Sequence, residues 1–238
     1  MRGQACTLTY KRHRFPSEII SHAVWLYCRF ALSYRDVEEL LAERGVLLTY
    51  ETVRQRCRKF GQTYANTLRR RRPRPGDTWH LDEVFIRING TGHDLWRAVD
   101  QDGIVLDILV LGRRDKRAAV RFLRTPLSGL QYVPRVLITD KLASYRAAKR
   151  EVLPSVEHRQ HQRLNNRAEH AHQPTRERER RMRRFTSPGH AQRFLAADGP
   201  IVGHCRPRRH RLTAAAYRAT SAARFATWRA VVGLPAAA

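Results

Sequence analysis

Three acidic residues standing among basic ones, Asp82, Asp140 and Glu169, are the positions at which this sequence could do chemistry. Asp82 sits in Trp79-His-Leu-Asp-Glu-Val-Phe-Ile86, Asp140 closes Val136-Leu-Ile-Thr-Asp140, and Glu169 lies in Asn165-Asn-Arg-Ala-Glu169-His. The 238 residues carry 46 Lys and Arg against 21 Asp and Glu, a formal net charge of +25. A field of that sign suits phosphates. Carboxylates kept inside it suit divalent cations that must meet those phosphates, a pairing that points to phosphodiester chemistry on DNA.

The charge is unevenly spread. Residues 1–75 carry a net +10, residues 76–150 only +4, and residues 151–238 a net +11. Two basic arms therefore flank an acid-bearing centre. The apolar fraction of 42% is ample for a core, and no run of about 18 apolar residues appears, so a membrane span is not expected. The N-terminus has no apolar signal core, so a cytoplasmic location is expected. Cys6, Cys28, Cys57 and Cys205 are scattered with no C-x-x-C pair, which reads as isolated thiols rather than a zinc site.

The elements that must position the acids follow from periodicity. Apolar residues from Ser17 to Phe30 keep helical spacing behind Pro16. Ser33-Tyr-Arg-Asp36 has the spacing of a capping box for a helix from Tyr34 to Glu43. Thr49 can cap a third helix, Tyr50 to Phe60, whose Val53, Cys57 and Phe60 face inward and whose Arg54, Arg56 and Arg58 are left for solvent. Helix, short Gly-containing turn and basic second helix is the helix-turn-helix pattern; an ordinary three-helix bundle with a charged face is the plainer reading. Arg69-Arg-Arg-Arg-Pro-Arg-Pro-Gly76 reads as a basic linker in which Arg70 and Arg72 could track a DNA backbone.

From Asp77 the texture changes. Thr78–Ile88, His93–Val99 and Ile104–Leu111 read as three antiparallel strands joined by turns at Asn89-Gly90 and Asp102-Gly103. A helix over Asp115–Arg124, stopped by Pro126, leads to a buried-type strand Arg135–Asp140. A helix Lys141–Glu151, a short strand at Val156–His158 and a long polar helix from Asn165 to Arg184 complete the order. This is the order of an α/β, ribonuclease-H-like fold, with an all-helical domain ahead of it. The division expected is a helical domain over 1–68, a linker over 69–76, a catalytic domain over 77–200, and a basic tail with a terminal helix over 201–238. Taken singly, each acid has an ordinary reading: Asp140 could cap a helix, and Glu169 could balance Arg163, Arg167 and Arg176. Asp82 and Glu83 should face opposite sides of their strand, so only one of them is expected in the site.

Trp79-x-x-Asp82-Glu-x-x-Ile86, Thr139-Asp140-Lys141, and Glu157-His-Arg-Gln160 followed by Asn165-Asn-x-x-Glu169-x-x-His172 together resemble the DDE transposases of bacterial insertion sequences, insertion-sequence family six. The likeness runs from the helical arm through at least His210. It implies that Asp82, Asp140 and Glu169 form the catalytic, metal-binding triad, holding two Mg²⁺ ions that Mn²⁺ could replace. It implies that Arg176 contacts the DNA end and that His158, Arg159 and Asn166 line the DNA path, although capping accounts equally well for Asn165 and Asn166. Only 28 residues separate Asp140 from Glu169, somewhat fewer than in better-known members.

The activity implied is cleavage at the ends of a mobile element and joining of its 3′ ends to target DNA by transesterification, in replicative transposition. The partners implied are double-stranded DNA, as terminal inverted repeats and as target, and further copies of the chain in a dimer or larger assembly, in a bacterial cytoplasm at the nucleoid. A catalytically inactive DNA-binding regulator and a nuclease of the same fold are the alternatives.

Overall fold

Asn89 and Gly90 both take positive φ, 49° and 80°, the pair of angles that matches a tight hairpin to strand twist. β1 (Thr78–Ile88) therefore folds straight back as β2 (Thr91–Asp100), and β3 (Val105–Leu111) adds a third antiparallel strand. On the other edge of β1, β4 (Val136–Thr139) and β5 (Glu157–Gln160) run parallel to it, giving a five-stranded sheet of order β3-β2-β1-β4-β5. The computed structural model describes residues 10–72, 74–161, 165–182, 184–205 and 212–235, without the side chains of residues 167 and 169. The side chain of Glu169 and the basic patch at 206–211 thus lie outside the described residues.

Strand alternation gives the sheet two different faces. One buries Trp79, Leu81, Trp96, Ala98, Leu106 and Leu137 under α4 (Lys116–Leu130) and α5 (Ala143–Val152), which contribute Phe122, Leu123, Tyr145 and Ala148. The other buries Val84, Ile86, Ile88, Leu95 and Ile108 with Phe185 and with Ala191 and Leu195 of α7 (Pro188–Cys205). α6 (Asn166–Arg181) also packs on β1 and β2. Pro126 does not stop α4, which runs on to Leu130. Pro126 is buried and Leu127 and Leu130 pack on the first core, so burial outweighs the single backbone hydrogen bond that proline removes.

The described residues up to Arg72 and from Ala197 onward form one compact unit, and Pro73–Ala196 the other. In the helical unit, α1 (Ser17–Arg29) leads to α2 (Tyr34–Ala42), which opens on the expected capping box: Asp36 N–H donates to Ser33 Oγ at 3.1 Å and Ser33 N–H to Asp36 Oδ2 at 2.8 Å. α3 (Tyr50–Arg71) is twice as long as its expected span. Phe60, Gly61, Tyr64, Ala65 and Leu68 continue its buried stripe, so residues 69–71, expected in a linker, belong to this helix. α8 (Ala214–Val231) joins the same unit: Trp228 meets Tyr64 edge-on at 5.5 Å, and the Tyr10 hydroxyl donates to the Val232 carbonyl at 2.7 Å. No described helix is long and apolar enough to cross a membrane.

Trp96 is fully buried between Phe122 and Tyr145, at ring separations of 5.7 and 5.4 Å. Trp96→Ala should cost about 3–5 kcal/mol of stability, measured by urea unfolding, and loosen the sheet face that carries Tyr145.

Candidate active site

The parallel register sets Thr78 beside Val136, Trp79 beside Leu137 and His80 beside Ile138. Carried on at the same offset, it brings Asp82 level with Asp140, the first residue after β4. On its other side Asp82 has Arg97 of β2 as its antiparallel partner. Two carboxylates from distant stretches of sequence thus become neighbours because the strands that carry them are neighbours. Asp82, Glu83 and Asp140 each present an oxygen within 4.8 Å of the others.

Glu83 corrects the expectation that only one of the adjacent acids would belong here. It does turn to the opposite face from Asp82, but that face is also part of the site. Tyr145 donates its hydroxyl to Glu83 Oε2 at 2.6 Å, and Arg114, in the loop between β3 and α4, pairs with Oε1. Burial pushes the Glu83 carboxyl up from its ordinary range, while Tyr145 and Arg114 pull it the other way. Burial also pushes the Tyr145 hydroxyl well up, which keeps it a proton donor. Side-chain exposure separates the three acids: Asp82 is 15% and Asp140 29% exposed, Glu83 only 1%.

Asp140 is not a helix cap. α5 starts at Ala143 with Leu142 in the capping position, and Asp140 Oδ1 instead accepts from the Leu142 N–H at 3.0 Å. Its Oδ2 lies 3.5 Å from Arg114. Beside it, Thr139 Oγ1 and His158 Nε2 are 2.9 Å apart.

α6 is fixed to β1 and β2 by buried polar groups. Asn165, just ahead of α6, makes no side-chain cap; its Nδ2 donates to the Leu81 carbonyl at 2.8 Å, next to Asp82. Arg97 donates to the Ala171 carbonyl and to Thr175 Oγ1. Pro174 lies inside α6 and removes the donor that the His170 carbonyl would receive. A buried guanidinium thus meets the helix where its own hydrogen-bond ladder is interrupted. His172 is buried with Nε2 3.5 Å from Asp82 Oδ2, and burial first, then Arg97 and Arg176, push its pKa down to about 3. The ring is therefore neutral against Asp82. Glu169 sits on α6 between Asn165 and His172, two positions anchored beside Asp82; its side chain is outside the described residues.

The candidate DNA-contacting residues divide. Arg58, Arg70, Asn166 and Arg176 are exposed, and Arg159 is exposed but paired with Glu157 at 2.7 Å. Arg54 is held by Glu51 at 2.6 Å, and Arg56, Arg72 and His158 are half-buried, so the basic face of α3 is narrower than helical spacing suggests. Arg97, Arg114 and Tyr145 carried no local signal in the sequence. Each acts by reaching across to another element.

Asn165→Ala would leave the Leu81 carbonyl without its buried partner. The expected cost is about 1–3 kcal/mol in urea unfolding, together with faster amide hydrogen exchange in the first turn of α6.

A sheet of order β3-β2-β1-β4-β5, antiparallel through its first three strands and parallel beyond, with acids meeting where β1 passes the end of β4, defines a ribonuclease-H-like core. The DDE domain family, of the IS240 type, matches residues 76–204. The chain belongs to this family of DDE transposases of bacterial insertion sequences. The transposase for insertion sequence-like element IS431mec of Staphylococcus aureus is 31% identical over 147 residues, 61% of this chain and 65% of the relative. The transposase for insertion sequence element IS257 in transposon Tn4003, also from S. aureus, matches to the same extent. The chain thus spans just under two thirds of the length of these relatives. Among solved structures, the human T-lymphotropic virus 2 integrase catalytic core in complex with magnesium (trimeric form) is 13% identical with a TM-score of 0.32, covering 52% of this chain and 97% of that one. The simian T-cell lymphotropic virus intasome with PP2A regulatory subunit B56 gamma is 18% identical with a TM-score of 0.35, covering 44% and 39%.

Proposed function

We propose that the protein is the transposase of an insertion sequence: it binds the terminal inverted repeats, cleaves DNA at the element ends and joins the freed 3′ ends to target DNA in replicative transposition. The observation that carries this reading is the meeting of Asp82 and Asp140 on neighbouring strands in a chain of the DDE family. The S. aureus relatives support it, since each is described as the transposase of an insertion sequence.

The donors fit a hard divalent cation. They are carboxylate oxygens close enough to share an ion, and Asp82 and Asp140 keep some exposure. Asp82 and Asp140 would hold Mg²⁺, or Mn²⁺ in its place, with Glu169 as the third ligand of a two-ion site. Ions so bound supply activation of the attacking oxygen and stabilisation of the leaving one.

The chain's own residues orient and support. Asn165 and Arg97 fix α6, and with it the position of Glu169, against the strand bearing Asp82. Neutral His172 closes off one side of Asp82 without placing another charge beside it. In cleavage, water attacks a phosphodiester and the bond to the 3′ oxygen breaks, leaving a 3′-hydroxyl. In joining, that hydroxyl attacks a target phosphate and displaces the target's own 3′ oxygen. One ester bond forms as one breaks, so no energy source is needed, and catalysis is positioning and charge stabilisation. Exposed Arg58 and Arg70 of α3 would grip phosphates of the terminal repeat, and Arg176 the DNA end.

Asp82→Asn should abolish joining of labelled element ends to a target plasmid in Mg²⁺, by at least about 10³-fold, while gel retardation of those ends persists. Normal joining by this variant would overturn the assignment. Arg58→Ala with Arg70→Ala should weaken binding to the terminal repeat and lower the slope of log affinity against log salt by about two. An unchanged slope would remove α3 from the DNA path.

A further inference from the structure

Arg114 has no assigned role, yet its guanidinium stands at the mouth of the carboxylate site. It pairs with Glu83 Oε1 and lies 3.5 Å from Asp140 Oδ2, while its side chain remains 46% exposed. Glu83, by contrast, is sealed in, and both its oxygens are engaged, one by Arg114 and the other by the fully buried Tyr145 hydroxyl at 2.6 Å. Proximity alone would admit Glu83 as a third described metal ligand. Its partners give it other work. Tyr145 is fixed in turn by Trp96, so an unbroken chain of buried contacts runs from the core through Glu83 to a half-exposed arginine.

Exposed arginines are ordinarily free to swing, and ordering one costs side-chain entropy. Here a buried carboxylate has already fixed the guanidinium beside the residues that would hold metal. Of its five N–H donors, only those on one terminal nitrogen face Glu83 and Asp140. Asp94 adds a third negative charge near the guanidinium, whose exposed part can engage an anion arriving from solvent. An arginine pre-set in this way suits a phosphate oxygen that gains charge during displacement.

We propose that Arg114 is a catalytic residue: held by Glu83 and Tyr145, it binds a non-bridging oxygen of the phosphodiester undergoing cleavage or joining. The proposal rests on the transposase reading and adds to it a residue outside the three acids. No bond to Arg114 forms or breaks; it contributes charge and orientation alone.

The test uses the full chain and its Arg114→Ala, Arg114→Lys and Tyr145→Phe variants, each confirmed folded by circular dichroism. Single-turnover joining of pre-cleaved ends is measured with an ordinary target phosphate and with a methylphosphonate at the attacked position, which removes the charge Arg114 would meet. Mn²⁺ binding is measured without DNA by electron paramagnetic resonance. Arg114→Ala should slow joining about 10²–10³-fold on the ordinary target but add little on the methylphosphonate. Lys should restore only part, lacking the planar fork. Tyr145→Phe should slow joining about tenfold through loss of the buttress. Mn²⁺ affinity of Arg114→Ala should be unchanged or tighter, since a competing cation has been removed.

Wild-type joining rates in Arg114→Ala would overturn the proposal, as would an equal penalty on both targets. A loss of Mn²⁺ affinity parallel to the loss of rate would also overturn it, since Arg114 would then act only through the carboxylates. Failure of the wild-type chain to join any end would instead count against the transposase reading itself.

Discussion

The register of β1 against β4 is the constraint on which the rest depends. Once Thr78 is beside Val136, Asp82 must stand level with Asp140. Two carboxylates that close place like charges side by side, an arrangement that calls for nearby cations. The surrounding structure supplies cations on both faces of the sheet: Arg97 is the cross-strand neighbour of Asp82, and Arg114 reaches Asp140. The site is thus a pair of acids flanked by an arginine on either side, with carboxylate oxygens close enough together to share a divalent ion. A one-residue slip of β4 would undo it, because side chains alternate faces along a strand.

Each face of the sheet contributes something different. The α4–α5 face is largely apolar and ends in the Tyr145, Glu83 and Arg114 series. The α6 face near Asp82 is polar, and there Arg97, Asn165, Thr175 and His172 do the packing that hydrophobic side chains do elsewhere. Buried polar contacts of this kind specify one geometry more sharply than apolar contact, since each unmade bond costs the desolvation of its group. That requirement suits a helix whose place against Asp82 must be fixed. The polar anchors lie within and just ahead of the helix, so they do not depend on the length of the connection from Asp140.

Much of this was legible in the sequence because it is local. Period-two alternation and Asn89-Gly90 placed the hairpin, and Ser33 with Asp36 announced α2. The fold order and the pairing of Asp82 with Asp140 followed from element sequence and a resemblance in motifs. What stayed hidden depends on reach between elements. Strand alternation turns Glu83 away from Asp82, yet Tyr145 and Arg114 make that other face part of the site. Pro126 reads as a helix end, but burial carries α4 through it. The basic stripe of α3 is narrower than spacing suggests, because spacing cannot show that Arg54 is spent on Glu51.

The helical unit is stitched from stretches far apart in sequence, with Tyr10 bonded to the Val232 carbonyl across 222 positions. During synthesis the sheet-bearing unit, being continuous, can close while the ribosome is still working, whereas the helical unit must wait for Trp228 to cover Tyr64. Contacts of such separation also form slowly. A chain cut short ahead of α8 would keep the carboxylate sheet whole and leave the helices uncovered. The chemistry and the proposed choice of DNA are therefore exposed to different lesions in the same gene.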